Sequence, residues 1–218
     1  MSAEAQVKET VVLVHGLWMP SWVMALLALR LRRCGFHTAV FSYPSVRNSL
    51  SQNALQLSRF VARIAAPRIH FVGHSLGGLL VLQMLAHYPE PRTCRVVLVG
   101  SPYRGNVVAS KLARRALGRW LIGRSVAQWL DQKAPTCTDR YAVGVIAGCG
   151  RLGMGTLIGG VPRPNDGVVA VEETRVPDAS DHIVLKVNHT SMLLSARLAR
   201  QTCAFLQNGH FLRPLESS

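Results

Sequence analysis

The chain has 218 residues, 49% of them hydrophobic, which is enough for one domain with a substantial core and argues against extended disorder. Its formal net charge is +14 at pH 7, and arginine supplies most of that charge because lysine occurs at only four positions. The longest apolar run, residues 23–29, is too short to cross a bilayer, so no membrane-spanning helix is expected in this sequence.

Strands and helices are predicted to alternate along the first part of the chain. Continuous apolar runs such as TVVLVHG indicate strands covered on both faces, and residues 48–65 have the periodicity of an amphipathic helix that Asn48 or Ser49 caps. The predicted segments, in order, are a strand over 10–16, a helix over 22–36, a strand over 37–44 and a helix over 48–65.

The same alternation continues to the end of the chain. The predicted segments are a strand over 69–72, a helix over 79–85, strands over 95–102, 141–148 and 182–188, and a final helix over 189–209. About six strands that alternate with helices predict an α/β fold with a mainly parallel sheet flanked by helices. We expect one domain over residues 10–209, with tails over 1–9 and 210–218.

Residues 103–138 interrupt this alternation because they are longer than a simple crossover between two strands. Their length and position predict a small helical cap insertion. Six basic residues and no acidic residue lie from Arg104 to Arg124, and Trp120 and Trp129 are interleaved with them. Two interpretations stay open: peripheral contact with an anionic membrane surface, and an ordinary helix with a solvated arginine-rich side.

The stretch VGHSLGG, residues 72–78, lies between a predicted strand and a predicted helix. A serine on a very tight strand-to-helix turn projects its hydroxyl from the sheet, and glycine two residues away on each side avoids collisions with the backbone. We interpret Ser75 as a nucleophile, with Gly73, His74 and Gly77 supporting this elbow. A glycine-rich turn with a solvated serine is the alternative.

A nucleophilic serine needs a base to take its proton, and histidine suits this task. His189 directly follows the strand over 182–188, and so lies at the carboxyl edge of a parallel sheet, where sites form. We therefore interpret His189 as the base, with a capping histidine as the alternative. The histidines that follow Ser75 are His87, His182, His189 and His210.

A third residue, an acid, should orient the base. In enzymes whose serine lies on such an elbow, the acid follows the serine and precedes the histidine in the chain, so here it should lie between Ser75 and His189. Asp166 is the first candidate because Pro164, Asn165 and Gly167 pin its loop into turn geometry. An Asx-turn without a catalytic role is the alternative, and Glu172 is the reserve candidate. The acidic residues in this interval are Glu90, Asp131, Asp139, Asp166, Glu172, Glu173, Asp178 and Asp181.

A tetrahedral intermediate also needs hydrogen-bond donors for its oxyanion. The backbone N–H of Leu76, directly after the nucleophile, is one candidate, and that of Leu17 in the turn HGLW is the other. Gly16 permits this tight turn. We interpret His15 as a support for the loop through hydrogen bonding, not as a base.

The motifs VVLVHGLW, VGHSLGGLL, VLVGSPYRGN, NDGVV and VNHTSML occur in the order seen in α/β-hydrolases, and over residues 10–207 the chain resembles bacterial lipases and esterases. The resemblance implies a minimal α/β-hydrolase fold, with Ser75 as nucleophile, Asp166 as triad acid, His189 as base, and Leu17 and Leu76 as oxyanion donors. Calcium-dependent lipases of this type carry an aspartate two residues after the catalytic histidine. Ser191 stands there, so no metal is expected.

These residues predict an ester hydrolase (an esterase or lipase) that forms an acyl-enzyme on Ser75 and needs no cofactor. A small ester or lipid is the expected substrate. A thioesterase or acyltransferase with the same triad is one alternative, and a non-catalytic membrane-surface or interaction protein is another. No zinc finger, RNA-binding signature or basic stacking platform favours a nucleic-acid partner.

Five cysteines, an odd number without a C-x-x-C pair, favour free thiols in a reducing compartment and give no zinc signature. The N-terminus has no basic start followed by an apolar run, so we expect no secretory signal. The sequence therefore predicts a cytoplasmic protein, with peripheral membrane contact as a further possibility.

Overall fold

Six parallel strands form one sheet in the computed structural model, which describes residues 9–132, 135, 137–150 and 160–213. The strand order across the sheet is β2-β1-β3-β4-β5-β6, which confirms the predicted α/β architecture with a parallel sheet. The strands are β1 (Thr10–Val14), β2 (His37–Phe41), β3 (Ile69–His74), β4 (Thr93–Val99), β5 (Ala142–Gly148) and β6 (Asp181–Leu185). The helices are α1 (Ala25–Arg33), α2 (Leu50–Ala62), α3 (Leu76–His87), α4 (Val107–Ala113), α5 (Ala116–Asp131) and α6 (Ala196–Asn208).

Helices cover both faces of the sheet, which explains why the central strands are apolar without alternation. In β1, Val12 and Val14 pack into the core under α2, α3 and α5. Val11 and Leu13 point to the opposite face, where α1 and α6 cover them. Every residue of β1 is buried. Because β1 pairs with β3 in parallel, with Val14 opposite Gly73, the carboxyl ends of these two central strands lie side by side at one edge of the sheet.

Ser49 is the residue that caps α2. Its hydroxyl accepts a hydrogen bond from the N–H of Gln52 at 3.2 Å, and the Gln52 side chain accepts one from the N–H of Ser49 at 2.9 Å. This reciprocal capping box satisfies two N–H groups that the first turn of a helix leaves unpaired. Asn48, the other candidate, lies outside the helix.

Three predicted helices are shorter than expected, among them the helix over 48–65, of which α2 spans Leu50–Ala62. The segment over 22–36 divides into a 3-10 helix, Ser21–Met24, and α1. The final helix does not begin at residue 189: a 3-10 helix, Ser191–Leu194, comes first. Ser195 then takes an extended backbone and caps α6 by accepting from the N–H of Leu198 at 3.2 Å.

The segment predicted as an insertion carries α4 and α5, although residues 133, 134 and 136 lie outside the described residues. Ile122, Val126 and Trp129 bury their side chains in the core that also holds α2 and α3. The helix α5 bends at Gly123, whose φ of 72° favours glycine. A Cβ at Gly123 would lie 2.6 Å from the carbonyl oxygen of Val46.

The predicted tails fall largely on residues 1–8 and 214–218, which lie outside the described residues. Phe211 is nevertheless a core residue, buried against Phe205 with ring centroids 5.0 Å apart. Within the described ranges, no helix combines the length and the apolar character that crossing a bilayer requires.

The expectation of five free thiols is wrong for two cysteines. Cys34 and Cys203 form a disulfide that joins the end of α1 to α6, while Cys94, Cys137 and Cys149 are unpaired. The sequence hides this pair because 169 residues separate its members, and only the packing of α1 beside α6 brings them together. Disulfides persist in oxidising environments, so the cysteines no longer support a reducing compartment.

Candidate active site

Ser75 occupies a sharp turn between β3 and α3. Its φ of 53° and ψ of −122° are an unfavourable backbone conformation for a residue with a side chain. The N–H of Ser75 is held by the carbonyl of Val99 at 2.9 Å, which ties the turn to the neighbouring strand β4. The hydroxyl group consequently lies at the carboxyl edge of the sheet, where it lines a cavity.

The two glycines that flank Ser75 are required by close backbone contacts. A Cβ on Gly73 would lie 2.4 Å from Cα of Gly78, and one on Gly77 would lie 2.3 Å from the carbonyl oxygen of Val14. Real Cβ contacts do not approach this closely, so any side chain there would force β1, β3 and α3 apart. The glycine pattern in the sequence therefore has the steric cause expected of a nucleophile elbow.

The structure brings Ser75, His189 and Asp166 together in a hydrogen-bonded chain. Nε2 of His189 lies 3.1 Å from Oγ of Ser75, and Nδ1 lies 2.7 Å from Oδ2 of Asp166. His189 follows β6, and its N–H donates to the carbonyl of Asp166 at 2.9 Å. These are the distances at which a histidine can take a proton from a serine while a carboxylate holds the ring.

Asp166 is fully buried, and backbone amides fix the orientation of its carboxylate. Its Oδ1 accepts N–H groups from Val168 at 2.9 Å and Val169 at 2.7 Å, which leaves Oδ2 for His189. The reserve candidate, Glu172, is exposed and forms ion pairs with Arg104 and Arg175. The geometry thus distinguishes the two acids.

The other histidines considered as bases contact groups away from Ser75. His87 bonds to the carbonyl of Gln83 at 3.0 Å, and His182 lies 3.2 Å from the hydroxyl of Thr174. His210 is an exposed residue that follows α6.

His15, in the turn after β1, and His74, which directly precedes Ser75, are both buried. Nε2 of His74 lies 3.0 Å from the carbonyl oxygen of His189, which positions the loop that carries the candidate base. His15 lies 2.9 Å from the carbonyl of Gly16, and its own carbonyl accepts the Tyr43 hydroxyl at 2.9 Å. Burial lowers the pKa of both histidines, so both stay neutral near pH 7.

Leu17 and Leu76 line the same cavity as Ser75 and His189. Leu76 is the first residue of α3, so its N–H has no partner within the helix and lies at the positive end of the helix dipole. Gly16 brings the turn after β1 close to the elbow: a Cβ there would be 3.1 Å from the side chain of Ser75. An assignment of Leu17 and Leu76 as oxyanion donors is consistent with these positions.

A cavity of about 320 Å³ opens beside Ser75. Ser75, His189 and Asn106 contribute polar groups at its wall, and the other side is apolar. The apolar lining combines α3, α4 and α5, through Leu79, Val108, Leu112, Ile122, Val126 and Trp129. The cavity therefore offers an apolar group a buried place next to the serine hydroxyl.

Glu173 is a residue of the site that the sequence did not single out. Its carboxylate accepts the N–H of Val107 at 2.7 Å, the N–H of Ala170 at 2.8 Å and the Asn106 side chain at 3.2 Å. Burial raises the pKa of Glu173. These bonds tie the loop of Asp166 to the start of α4, whereas Glu172 beside it in the sequence points to solvent.

Lowering the pH should destabilise the fold through His74. Burial lowers the pKa of His74 to about 3, while in the unfolded chain a histidine titrates near 6.5. Below pH 6.5 the unfolded state therefore binds a proton that the folded state does not bind, so stability is lost as the pH falls. The expected loss is about 1.4 kcal/mol per pH unit, or about 2 kcal/mol at pH 5.

Urea denaturation of wild type and His74→Gln at pH 7.5 and near pH 5 measures this effect. The variant should lose less stability on acidification, because glutamine does not titrate but still has a donor for the carbonyl of His189. His37→Gln, at an exposed histidine, should retain the full loss. An identical loss in His74→Gln and wild type would contradict the assignment.

No group of three or more His, Cys, Asp or Glu side chains in the described ranges is arranged to hold a metal ion.

The comparisons with known proteins agree on the architecture. A family model described as the alpha/beta hydrolase family matches residues 11–212. No curated protein matches the chain.

Three solved structures are similar to the chain at low sequence identity. The Bacillus licheniformis lipase BlEst2 in its propeptide form has a TM-score of 0.74 and 20% identity, covering 95% of this chain and 51% of that protein. The metagenomic carboxyl esterase MGS0156 has a TM-score of 0.64 and 19% identity, with 86% and 66% coverage. The carboxylesterase CesB from Bacillus subtilis has a TM-score of 0.62 and 13% identity, with 94% and 85% coverage. The chain thus spans only about half of the length of the first of these proteins.

Proposed function

The chain belongs to the alpha/beta hydrolase family, and on that premise we propose that it hydrolyses carboxylic esters through an acyl-enzyme on Ser75. The observation that carries this proposal is the hydrogen-bonded chain from Ser75 through His189 to Asp166 at the edge of an apolar cavity. The esterases and the lipase of similar structure share the fold with this chain. The side-chain geometry of this chain supports ester hydrolysis.

In the first half of the reaction, Nε2 of His189 takes the proton of the Ser75 hydroxyl while Oγ attacks the ester carbonyl carbon. The carbonyl oxygen becomes an oxyanion, which the N–H groups of Leu17 and Leu76 stabilise. The C–O bond to the alcohol then breaks, and His189 gives its proton to the departing alkoxide. The acyl group stays on Ser75.

In the second half, His189 takes a proton from a water molecule that attacks the acyl-enzyme. The carboxylic acid leaves when the proton returns to Oγ of Ser75. Asp166 keeps the Nδ1 proton of His189 in place and stabilises the charged ring in both halves. The acyl group of a small ester or lipid occupies the apolar cavity, with α4 and α5 acting as a cap over it.

Hydrolysis of p-nitrophenyl esters with acyl chains from acetyl to palmitoyl tests the proposal. We expect turnover together with covalent labelling by a fluorophosphonate, which reacts only with an activated serine. The cavity of about 320 Å³ should favour acyl chains that fit inside it over the longest members of the series. A folded protein that neither turns over any ester nor takes the label would contradict the proposal.

A further inference from the structure

Three large apolar side chains stand out from the first half of α5. Leu117 and Trp120 are 70% and 73% exposed, and Leu121 is also exposed. Their spacing of three and four residues places them on one side of the helix. Ile122 is buried on the other side, and a Cβ on Gly118 would lie 2.2 Å from the carbonyl oxygen of Leu112 in α4. The apolar side chains that face solvent are therefore not part of the core.

This exposed face borders the entrance of the cavity. Trp18 is 48% exposed, lines the cavity and donates its indole N–H to the carbonyl of Leu121 at 3.0 Å. The apolar face formed by Trp18, Leu117, Trp120 and Leu121 is thus continuous with the mouth of the cavity. A water-soluble protein rarely exposes so many large apolar side chains together without a use for them.

A groove of about 350 Å³ lies beside Trp120 and is strongly basic. Arg47, Arg119 and Arg124 line it with Trp120, and no acidic residue lines it within the part of the chain that the structure describes. Among the described residues, Arg119 forms one ion pair, at 3.6 Å, with the exposed Asp131. An exposed ion pair at this distance contributes little free energy because solvent screens it. The groove therefore keeps most of its positive charge.

We propose that the apolar face and the arginine groove together dock the protein on a bilayer that contains anionic phospholipid. The chemistry of the two parts fits the two layers of a membrane surface. Guanidinium groups bind the phosphate and carboxylate oxygens of headgroups, while tryptophan side chains settle at the boundary between headgroups and acyl chains. Docking in this orientation brings the cavity mouth against the bilayer. The inference goes beyond the proposed reaction, and the binding does not depend on Ser75.

Co-sedimentation with vesicles tests the docking surface. The Ser75→Ala protein is used so that lipid cleavage cannot alter the vesicles, and the vesicles are phosphatidylcholine alone or mixed with phosphatidylserine. We expect strong binding to the mixed vesicles at low salt, with weakening as salt is added. The variant R47Q/R119Q/R124Q should partition about a hundredfold less, at about fivefold for each arginine.

A matched control removes the same charge elsewhere. The variant R33Q/R197Q/R200Q changes exposed arginines of α1 and α6, which cover the opposite face of the sheet, and should bind vesicles within about twofold of the parent. The variant L117S/W120S should weaken binding about tenfold while keeping all the arginines.

Three results would overturn the proposal. Equal binding to neutral and mixed vesicles at low salt would show that the arginines do not bind anionic headgroups. An equal loss in both triple variants would assign the effect to net charge alone. Saturable binding of inorganic phosphate without vesicle binding would make the groove a site for free anions. Each binding measurement is independent of ester turnover. Failure of the docking proposal is therefore distinguishable from failure of the proposed reaction.

Discussion

Replacing Ser75 with alanine is expected to lower kcat for ester hydrolysis by about a millionfold, as found when serine triads lose their nucleophile. The variant removes the oxygen that must form the acyl-enzyme, while the cavity and the backbone N–H groups of Leu17 and Leu76 stay in place. KM should therefore change much less than kcat. Steady-state kinetics on the best p-nitrophenyl ester measures both, and fluorophosphonate labelling should disappear.

Ser58→Ala provides the matched control, because the hydroxyl of Ser58 donates to the carbonyl of Leu55 within α2, away from the cavity. It should keep wild-type kcat. Removal of the Ser75 side chain does not create a core cavity, so thermal unfolding of Ser75→Ala should match wild type. Wild-type turnover by a folded Ser75→Ala protein would eliminate the acyl-enzyme mechanism.

Replacing Asp166 with asparagine is expected to lower kcat about ten-thousandfold. The N–H groups of Val168 and Val169 both donate to Oδ1 of Asp166, so the asparagine oxygen must stay on that side. Its NH2 group then faces Nδ1 of His189, which must become an acceptor. The proton moves to Nε2, and the histidine can no longer accept the proton of Ser75.

Glu172→Gln is the control for this experiment, since Glu172 is the other acid that the sequence offered. Among the described residues, its carboxylate pairs with Arg104 and Arg175 at the exposed surface, and such ion pairs contribute little to stability. We expect its kcat to stay within about twofold of wild type, because substitutions at exposed positions outside the core and the buried hydrogen-bond networks have small effects. A large loss in Glu172→Gln together with an unaffected Asp166→Asn would reverse the assignment of the acid.

Local sequence patterns predicted most of the strands and helices of the fold. The apolar runs of β1, β3 and β4 and the amphipathic period of α2 predicted elements that the structure confirms, because strand and helix periodicities depend on neighbours only a few residues away. Helix ends depend on geometry that periodicity does not contain. The start of α6 depends on the capping geometry of Ser195, which periodicity alone does not show.

The chain order and glycine spacing also indicated Ser75, Asp166 and His189, and the structure places their side chains within hydrogen-bond distance. The sequence does not indicate the role of Glu173, because nothing in it distinguishes Glu173 from the adjacent Glu172. Only the approach of α4 to the Asp166 loop partly buries the carboxylate of Glu173 and leaves that of Glu172 in solvent. The disulfide between Cys34 and Cys203 was missed for the same reason, since its partners meet only through helix packing.

The sequence by itself determined the parallel α/β architecture and the elbow, since short-range sterics and hydrophobic periodicity are written in consecutive residues. The tertiary structure alone decided which charges and apolar groups stay in water. Arg119 and Arg124 belong to α5, whereas Arg47 lies in the loop before α2, and the three side chains meet at Trp120 where α5 crosses that loop. The basic run of α5 is visible in the sequence, but burial and the meeting of α5 with the loop of Arg47 are properties of surfaces in space, which no local pattern contains.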